Sequence, residues 1–580
     1  MGTGLIAKVA VVTPLAHLDR PFDYAIPADK ADSVRPGIRV RVRFSGKLRD
    51  GYVLAVESSS TQTQLLPLHS VASEEVVLTP EIAELTRAVA DHYSGSFADV
   101  IRLAIPPRHM STEKATPPSY PKPHLQALAS APLHEYPHGA SFIEAIKRGD
   151  SPKAAWTLAP TAGASGDWIG GFISATQSAL ESGRGALLIV PDQHDLDQLC
   201  ERLTSHFGKG SFVEIAASYG PAARYRRFLA AKRGSVSIVV GTRSAIFTPV
   251  KNLGLIALWD DGDDSYAELR APYLHAREVV ALRAHKCAAA LIFAHYVRTA
   301  EIQQLVERQW LFPIEKTPGE NRAASPKIIN VIQRPSERQM RIPHDVFAHI
   351  RVGLAQGSVL IQVMSDSRQT ASELGKAFPQ VKVVFSANDH RLSEIADTPA
   401  LVISTPGAEP TAVAGYAAAV ILDADAMLRR ADLRVGEETL RRWMSVAAMV
   451  RPAEAGGSVL LVGDHANRPA QALLRLDSLG FAAQELQDRI QAKLPPSVKM
   501  IRLEGSFSAL KPYIDNSELP ASAEVVGSIP TPDPESYVAI LRCPPTDGAA
   551  LVHAVRKLSS VRAAKKAEPV KVMVDPHIIE

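Results

Sequence analysis

Three arginines set two residues apart, Arg39, Arg41 and Arg43, alternate with Val40, Val42 and Phe44. A period of two is that of a β-strand, so the guanidinium groups share one face and the apolar side chains share the other. Such a face can meet the phosphates of a nucleic acid, with Arg35, Lys47 and Arg49 flanking it. The rings of Phe22 and Tyr24, in the preceding turn, could then stack on a terminal or unpaired base. Composition alone also allows a solvated arginine face over a core that takes both rings. A second basic cluster, Arg556, Lys557, Arg562, Lys565, Lys566 and Lys571, carries the same two readings.

Phosphoryl transfer is the other chemistry to test. A phosphate loop needs glycines whose amides wrap the phosphates, a lysine, and a hydroxyl for Mg²⁺, in the order GxxxxGK[ST]. The nearest stretch is Leu158-Ala159-Pro160-Thr161-Ala162-Gly163-Ala164-Ser165-Gly166-Asp167-Trp168, which keeps Gly163 and Gly166 but places Asp167 where the lysine belongs. An aspartate there repels a triphosphate, and the spacing reads as an ordinary glycine-bearing strand–helix turn. The acidic run Trp259-Asp260-Asp261-Gly262-Asp263-Asp264 follows an apolar strand at 253–258. Carboxylates at a strand end can hold Mg²⁺, but with no lysine-bearing loop opposite the simpler reading of Asp260 and Asp261 is a solvated acidic turn. The 18 histidines, His17, His69 and His295 among them, show no metal-ligand spacing, and neither GxSxG nor HExxH occurs.

The elements that must position these groups follow from length and pattern. At about 150 residues per domain, 580 residues predict roughly four domains. A hydrophobic fraction of 46% with 22% charged residues excludes bulk disorder. With 64 basic against 61 acidic residues the net charge is +3, so any nucleic-acid contact must come from local clusters. Cys200, Cys287 and Cys543 form no CxxC pair, which argues against disulfide frameworks and zinc clusters and fits a reducing cytoplasm. No run approaches the ~18 apolar residues of a membrane span, and the stretch 9–16, broken by Pro14, reads as a first strand. The expectation is a soluble cytoplasmic protein.

The fold class expected is multi-domain α/β. Residues 1–110 read as β-rich, with strands at 7–12, 37–44 and 51–56 and a closing helix at 80–93. A proline-rich linker spans 111–139. Apolar runs alternating with helical patterns make a first parallel α/β lobe over 140–325, with strands at 186–190, 236–240, 253–258 and 291–294. A second lobe covers 326–475, with strands at 359–363, 381–385, 401–404, 420–422 and 459–462. Residues 476–580 form an α+β domain, with strands at 499–503, 537–541 and 570–574 around a helix at 549–566.

The block His17-Leu18-Asp19-Arg20-Pro21-Phe22-Asp23-Tyr24, taken with Arg35-Pro36-Gly37-Ile38-Arg39-Val40-Arg41-Val42-Arg43-Phe44-Ser45-Gly46-Lys47, resembles the N-terminal domain of the replication restart protein PriA (primosomal protein N′) family in its actinobacterial form. GTRSAIFTP at 241–249, KNLGL at 251–255, His275-Ala276-Arg277 and Asp423-Ala424-Asp425 carry the resemblance along nearly the whole chain. It implies two RecA-like helicase lobes and a domain that binds DNA 3′ ends. By resemblance, Phe22 stacks on the terminal base, Asp23 accepts from the 3′-hydroxyl and Gly46 lets the backbone approach the sugar, with Arg43 and Lys47 beside it; Arg39 and Arg41 join them as DNA-binding candidates from the strand pattern.

The departures from the family pattern are equally specific. The phosphate loop reads 161–168 as above, and the DEEH motif reads Trp259-Asp260-Asp261-Gly262. The SAT-type motif reads Phe293-Ala294-His295-Tyr296, and the arginine-bearing final motif reads Val446-Ala447-Ala448-Met449-Val450-Arg451-Pro452. Losing these together removes charge stabilisation of a transferred phosphoryl group. Most family members also insert an eight-cysteine, two-zinc module where this chain runs from a strand at 359–363 through Met364-Ser365-Asp366 into a helix at 367–377, so no zinc is expected. The resemblance therefore implies a protein without catalytic residues, metal or other cofactor. Gly163, Gly166, Asp260 and Asp261 would mark a degenerate nucleotide site, and the losses argue against ATP binding. Its partners would be forked or 3′-ended DNA and replication-restart and helicase-loading proteins, in the cytoplasm on the nucleoid, with no membrane. The alternative is a weak ATP-dependent 3′–5′ helicase with unorthodox nucleotide contacts; a third reading is a protein adaptor without DNA binding.

Overall fold

The computed structural model describes residues 5–62, 64–128, 131–331, 342–364, 367–387, 389–396, 398–533 and 535–577. The N-terminal sheet has five antiparallel strands: β1 (Ile6–Val11), β2 (Pro21–Ala25), β3 (Ile38–Phe44), β4 (Lys47–Glu57) and β5 (Ser70–Val76), in spatial order β2-β1-β4-β3-β5. β3 and β4 are joined by Ser45 and Gly46, at φ 47° and 77°, the two positive-φ positions that a tight hairpin requires. β4 therefore starts at Lys47, four residues before the expected strand, because the hairpin pairs the polar run Lys47 to Asp50 with β3.

The sheet curls until its edge meets β3. Leu68 donates to the Ala25 carbonyl and His69 to that of Arg41, and the Ala25 amide donates to Leu66, so the segment 66–69 bridges the gap between β2 and β3. Inside lie Val9, Tyr24, Ile26, Val40, Val42, Val53 and Leu68. The helix α1 (Pro80–His92), capped by Thr79, closes the domain.

The first lobe is a seven-stranded parallel sheet, ordered Phe312–Glu315, Lys153–Thr157, Ala290–His295, Leu253–Trp259, Gly185–Ile189, Ile238–Gly241, Phe212–Ile215. The second has six parallel strands, ordered Lys327–Val331, Ser458–Val462, Ala418–Ile421, Val359–Gln362, Ala400–Ser404, Lys382–Ser386. The central strands are buried on both faces, which is why they read as unbroken apolar runs. Val359–Gln362 is followed by the helix Ser367–Ala377, as expected; Ser365 and Asp366 between them lie outside the described residues. The C-terminal sheet is antiparallel, ordered Glu524–Pro530, Tyr537–Cys543, Lys499–Gly505, Lys571–Val574, with the helix Gly548–Ala564 packed on it. No helix among the described residues is long and apolar enough to cross a membrane.

Glu113 ties the N-terminal domain to the first lobe. Its carboxylate accepts from Arg108 (2.7 Å), the Ser73 hydroxyl (2.6 Å) and the Tyr225 hydroxyl (2.6 Å). Burial opposes its ionisation, yet these donors together hold it down at about 2. A carboxylate depressed by folding contributes stability above its unfolded value, near 4.5, and loses it as pH falls toward 2. Glu113→Gln is thus expected to cost about 1–2 kcal/mol at pH 7, after allowance for solvent screening. Urea unfolding at a series of pH values should show the deficit shrinking between pH 4.5 and 2.

Candidate DNA-end site and interlobe cleft

Phe22 and Asp23 lie in β2, not in a turn: β2 pairs with β1 in the register Val9↔Phe22 and Lys8↔Asp23. Pro21 disguises the strand in the sequence, yet proline is tolerated at the first residue of an edge strand. Tyr24 is buried and donates its hydroxyl to the Arg43 carbonyl at 3.2 Å. Phe22 is half-buried, edge-on to Phe44 at 4.7 Å with the Arg20 guanidinium 4.7 Å from its centroid. Curling of the sheet therefore brings Phe22 and Tyr24 to the end of β3 that carries Phe44 and Arg43. The Asp23 carboxylate accepts from Ser60 Oγ at 2.5 Å, and Ser60 Oγ itself accepts from the Gln62 amide at 3.0 Å.

The three arginines of β3 are not equivalent, contrary to the alternation alone. Arg39 lies over Tyr52 at 5.5 Å and donates to the Pro106 carbonyl, while Arg41 pairs with Asp50 at 3.2 Å. The Arg43 and Lys47 side chains are exposed and have no partner among the described residues. Gly46 is exposed, and a Cβ there would meet nothing within 4 Å, so the fold leaves open space at the turn. The C-terminal basic cluster divides likewise. Arg556 pairs with Asp19 and Asp91, Lys557 with Glu518 and Lys571 with Glu504, and Arg562 lies over Tyr513 and donates to the Glu568 carbonyl, leaving Lys565 and Lys566 exposed.

A cleft of about 480 Å³ lies between the lobes. Gly163 and Gly166 sit at its rim, in the turn between Lys153–Thr157 and the helix α2 (Trp168–Glu181). Four amides of this turn are already bonded within the protein. Ala162 donates to the Val450 carbonyl of the second lobe (2.9 Å), Gly163 to Thr161 Oγ1, Gly166 to the Gly163 carbonyl and Asp167 to that of Ala164. Asp167 also caps α2, its carboxylate accepting from the Gly170 amide at 2.9 Å and pairing with Arg202 at 2.8 Å. A protein carboxylate thus occupies the helix N-terminus where an anion would bind. Trp168 stacks on Trp259 at 4.6 Å and 8°, and Tyr296 packs edge-on to Trp259. Rings fill the space beside both altered motifs.

Asp260 and Asp261 do not form a solvated turn. Both are buried, Asp260 in a left-handed conformation at φ 53°. Asp261 accepts from Thr299 Oγ1 (2.7 Å) and Arg277 (3.3 Å) and hydrogen-bonds His295 Nδ1 (3.1 Å). Burial works against its charge, but these partners keep its carboxyl below the usual range. Asp260 pairs with Arg441, on the helix α3 (Val435–Ala448) of the second lobe. Burial pushes the Asp260 carboxyl up to about 6 against the pull of Arg441, leaving it ionised and paired at neutral pH. Arg441 also reaches Asp263 (3.1 Å) and Glu438 (2.7 Å), and Arg442 reaches Glu438 (2.8 Å). Neither arginine stood out in the sequence; the readable signal was Glu438 three and four residues before them on one helical face.

Residues 8–106 match the family model described as a 3′DNA-binding domain (3′BD), and residues 490–577 match that of the primosomal protein N C-terminal domain. The chain is 36% identical to the probable replication restart protein PriA of Mycobacterium tuberculosis strain H37Rv, over 97% of this chain and 99% of that one. The corresponding protein of Mycobacterium leprae is 34% identical over the same shares. Among solved structures, RecG bound to a three-way DNA junction aligns at TM-score 0.39 and 14% identity, over 70% of this chain and 53% of that one.

Proposed function

Since this chain belongs to the replication restart protein PriA family, we propose that it binds forked DNA through a free 3′ end and serves as a non-catalytic platform on the nucleoid for helicase-loading and other restart proteins. The DNA end enters between β2 and the Ser45-Gly46 turn. Phe22 stacks on the terminal base, Asp23 accepts from the 3′-hydroxyl, the backbone at Gly46 approaches the sugar, and Arg43 and Lys47 meet phosphates. Arg39 and Arg41, engaged with Tyr52 and Asp50, hold the strand and contribute less.

The observation that carries the non-catalytic half is the cleft. Asp167 stands in the lysine position and caps α2, four loop amides are spent on protein acceptors, and Arg441 neutralises Asp260. Phosphoryl transfer relies on positive charge aimed at the phosphates, and here that charge is spent on carboxylates. The test is ATP hydrolysis by the full chain with and without forked DNA. No DNA-stimulated turnover is expected; turnover that disappears in Asp260→Asn or Asp261→Asn would overturn the reading in favour of a weak helicase.

The Gln62–Ser60–Asp23 relay fixes the carboxylate that receives the hydroxyl. Ser60→Ala should weaken binding to a 3′-hydroxyl fork by roughly 2–10-fold, the worth of one hydrogen bond. Binding to a 3′-phosphate fork should not weaken, and Ser60→Thr should behave as the parent. Fluorescence anisotropy at fixed salt reads all three.

A further inference from the structure

The lobes are joined by two separate groups of buried charges. In the first, Arg441 of the second lobe pairs directly with Asp260 and Asp263 of the first, and Glu438 orients its guanidinium. In the second, Glu301 of the first lobe receives Arg434 of the second, Arg277 of its own lobe at 3.5 Å and Arg489 at 3.8 Å. Arg489 lies on the helix α4 (Ser478–Ala492) leading into the C-terminal domain. Glu437 returns the contact, accepting from the Ala300 amide of the first lobe at 2.8 Å and pairing with Arg489. The rim is sewn as well, by Ala162 to the Val450 carbonyl and by Arg391 to Asp192 at 2.9 Å.

A motor whose lobes close on nucleotide uses the phosphates as the bridge: one lobe cradles them and an arginine of the other completes the site. Here the arginine meets first-lobe carboxylates directly, so closure needs no third component. We propose that the lobes are clasped shut by the chain's own charges, independently of nucleotide, and behave as one rigid strut. That strut sets the orientation of the DNA-end domain, anchored through Glu81–Arg283 and Glu75–Arg233, and of the C-terminal domain, anchored through Arg489. The inference deepens the platform reading and rests on it for its purpose, but the clasp can be tested by itself.

The experiment is amide hydrogen exchange on the full-length protein, alone and with Mg·ATP, Mg·AMP-PNP or Mg·ADP–BeF₃. Residues 159–168, 259–264 and 435–448 report the two sides of the clasp, and the central strands of each lobe report the fold. In the parent protein the nucleotides are expected to leave protection unchanged. Arg441→Gln should raise exchange on both sides together, by tenfold or more, with the central strands still protected. Nucleotide-dependent protection in the parent overturns the clasp, and so does an Arg441→Gln variant that stays protected. If that variant does not fold, the parent with nucleotide still decides. Turnover of ATP is followed in parallel: hydrolysis with unchanged protection sinks the non-catalytic reading and leaves the clasp, whereas nucleotide-dependent opening without hydrolysis does the reverse.

Discussion

Glu301→Gln is expected to destabilise the protein by about 3–5 kcal/mol at pH 7, the range for removing one partner of a buried ion pair. Glutamine keeps the volume and removes the charge, so any loss belongs to electrostatics and not to a cavity. Glu301 faces Arg277, Arg434 and Arg489, whose side chains are 4%, 10% and 1% exposed, and water therefore cannot take over its role. Burial alone would raise the Glu301 carboxyl, yet Arg277, Arg434 and Arg489 hold it well below the usual range. Its contribution is therefore complete above pH 4.5 and fades only well into acid, so the mutant and parent should converge there. Denaturant unfolding at pH 7 measures the loss. Glu278→Gln is the matched control, since the Glu278 side chain is 35% exposed and pairs with Arg277 at 3.3 Å; it should cost less than about 1 kcal/mol. Equal effects from the two substitutions would place the stabilisation somewhere other than the buried arginine cluster.

The contrast between these glutamates marks what a sequence can and cannot disclose. Leu253–Trp259 was legible because a strand buried on both faces must be apolar throughout. β3 was legible because Arg39, Arg41 and Arg43 alternate with a core-facing set. β2 was not, since Pro21 and its short length mimic a turn, and only the far contacts of Tyr24 and Phe22 with β3 show why a strand must lie there. The acidic run at 260–264 looked solvated because its partner Arg441 lies 181 residues away. A carboxylate is buried only when a cation is delivered to it, and local pattern carries no information on delivery. The stacking of Trp168 on Trp259 had a readable trace, since one tryptophan stands in each of the two stretches that depart from the family pattern. The two stretches therefore meet in one stacked pair of rings at the interlobe cleft.

The proposed DNA-end site can be separated from general affinity for DNA. In the proposed site, phosphate contacts by Arg43 and Lys47 would act on any nucleic acid, with a strength that follows salt. Asp23, in the same proposal, would act on the end alone. Its carboxylate should accept from a 3′-hydroxyl, a hydrogen bond to a charged group worth about 1.5–3 kcal/mol, and should repel a 3′-phosphate placed at the same spot. The parent protein is accordingly expected to prefer a 3′-hydroxyl fork over a 3′-phosphate fork by roughly 10–150-fold at fixed salt. Asp23→Ala should bring the two affinities together, weakening the first and strengthening the second, while the slope of affinity against salt stays unchanged. The opposite movement of the two substrates is the diagnostic feature, because local unfolding of β2 would weaken both. The substitution is structurally mild: Asp23 is half-buried, the hydroxyl that it releases on Ser60 can turn to water, and Lys8 beside it keeps Glu57 at 3.0 Å. An Asp23→Ala protein that still discriminates between the two ends would remove Asp23 from the site and shift end recognition to the Ser45-Gly46 turn.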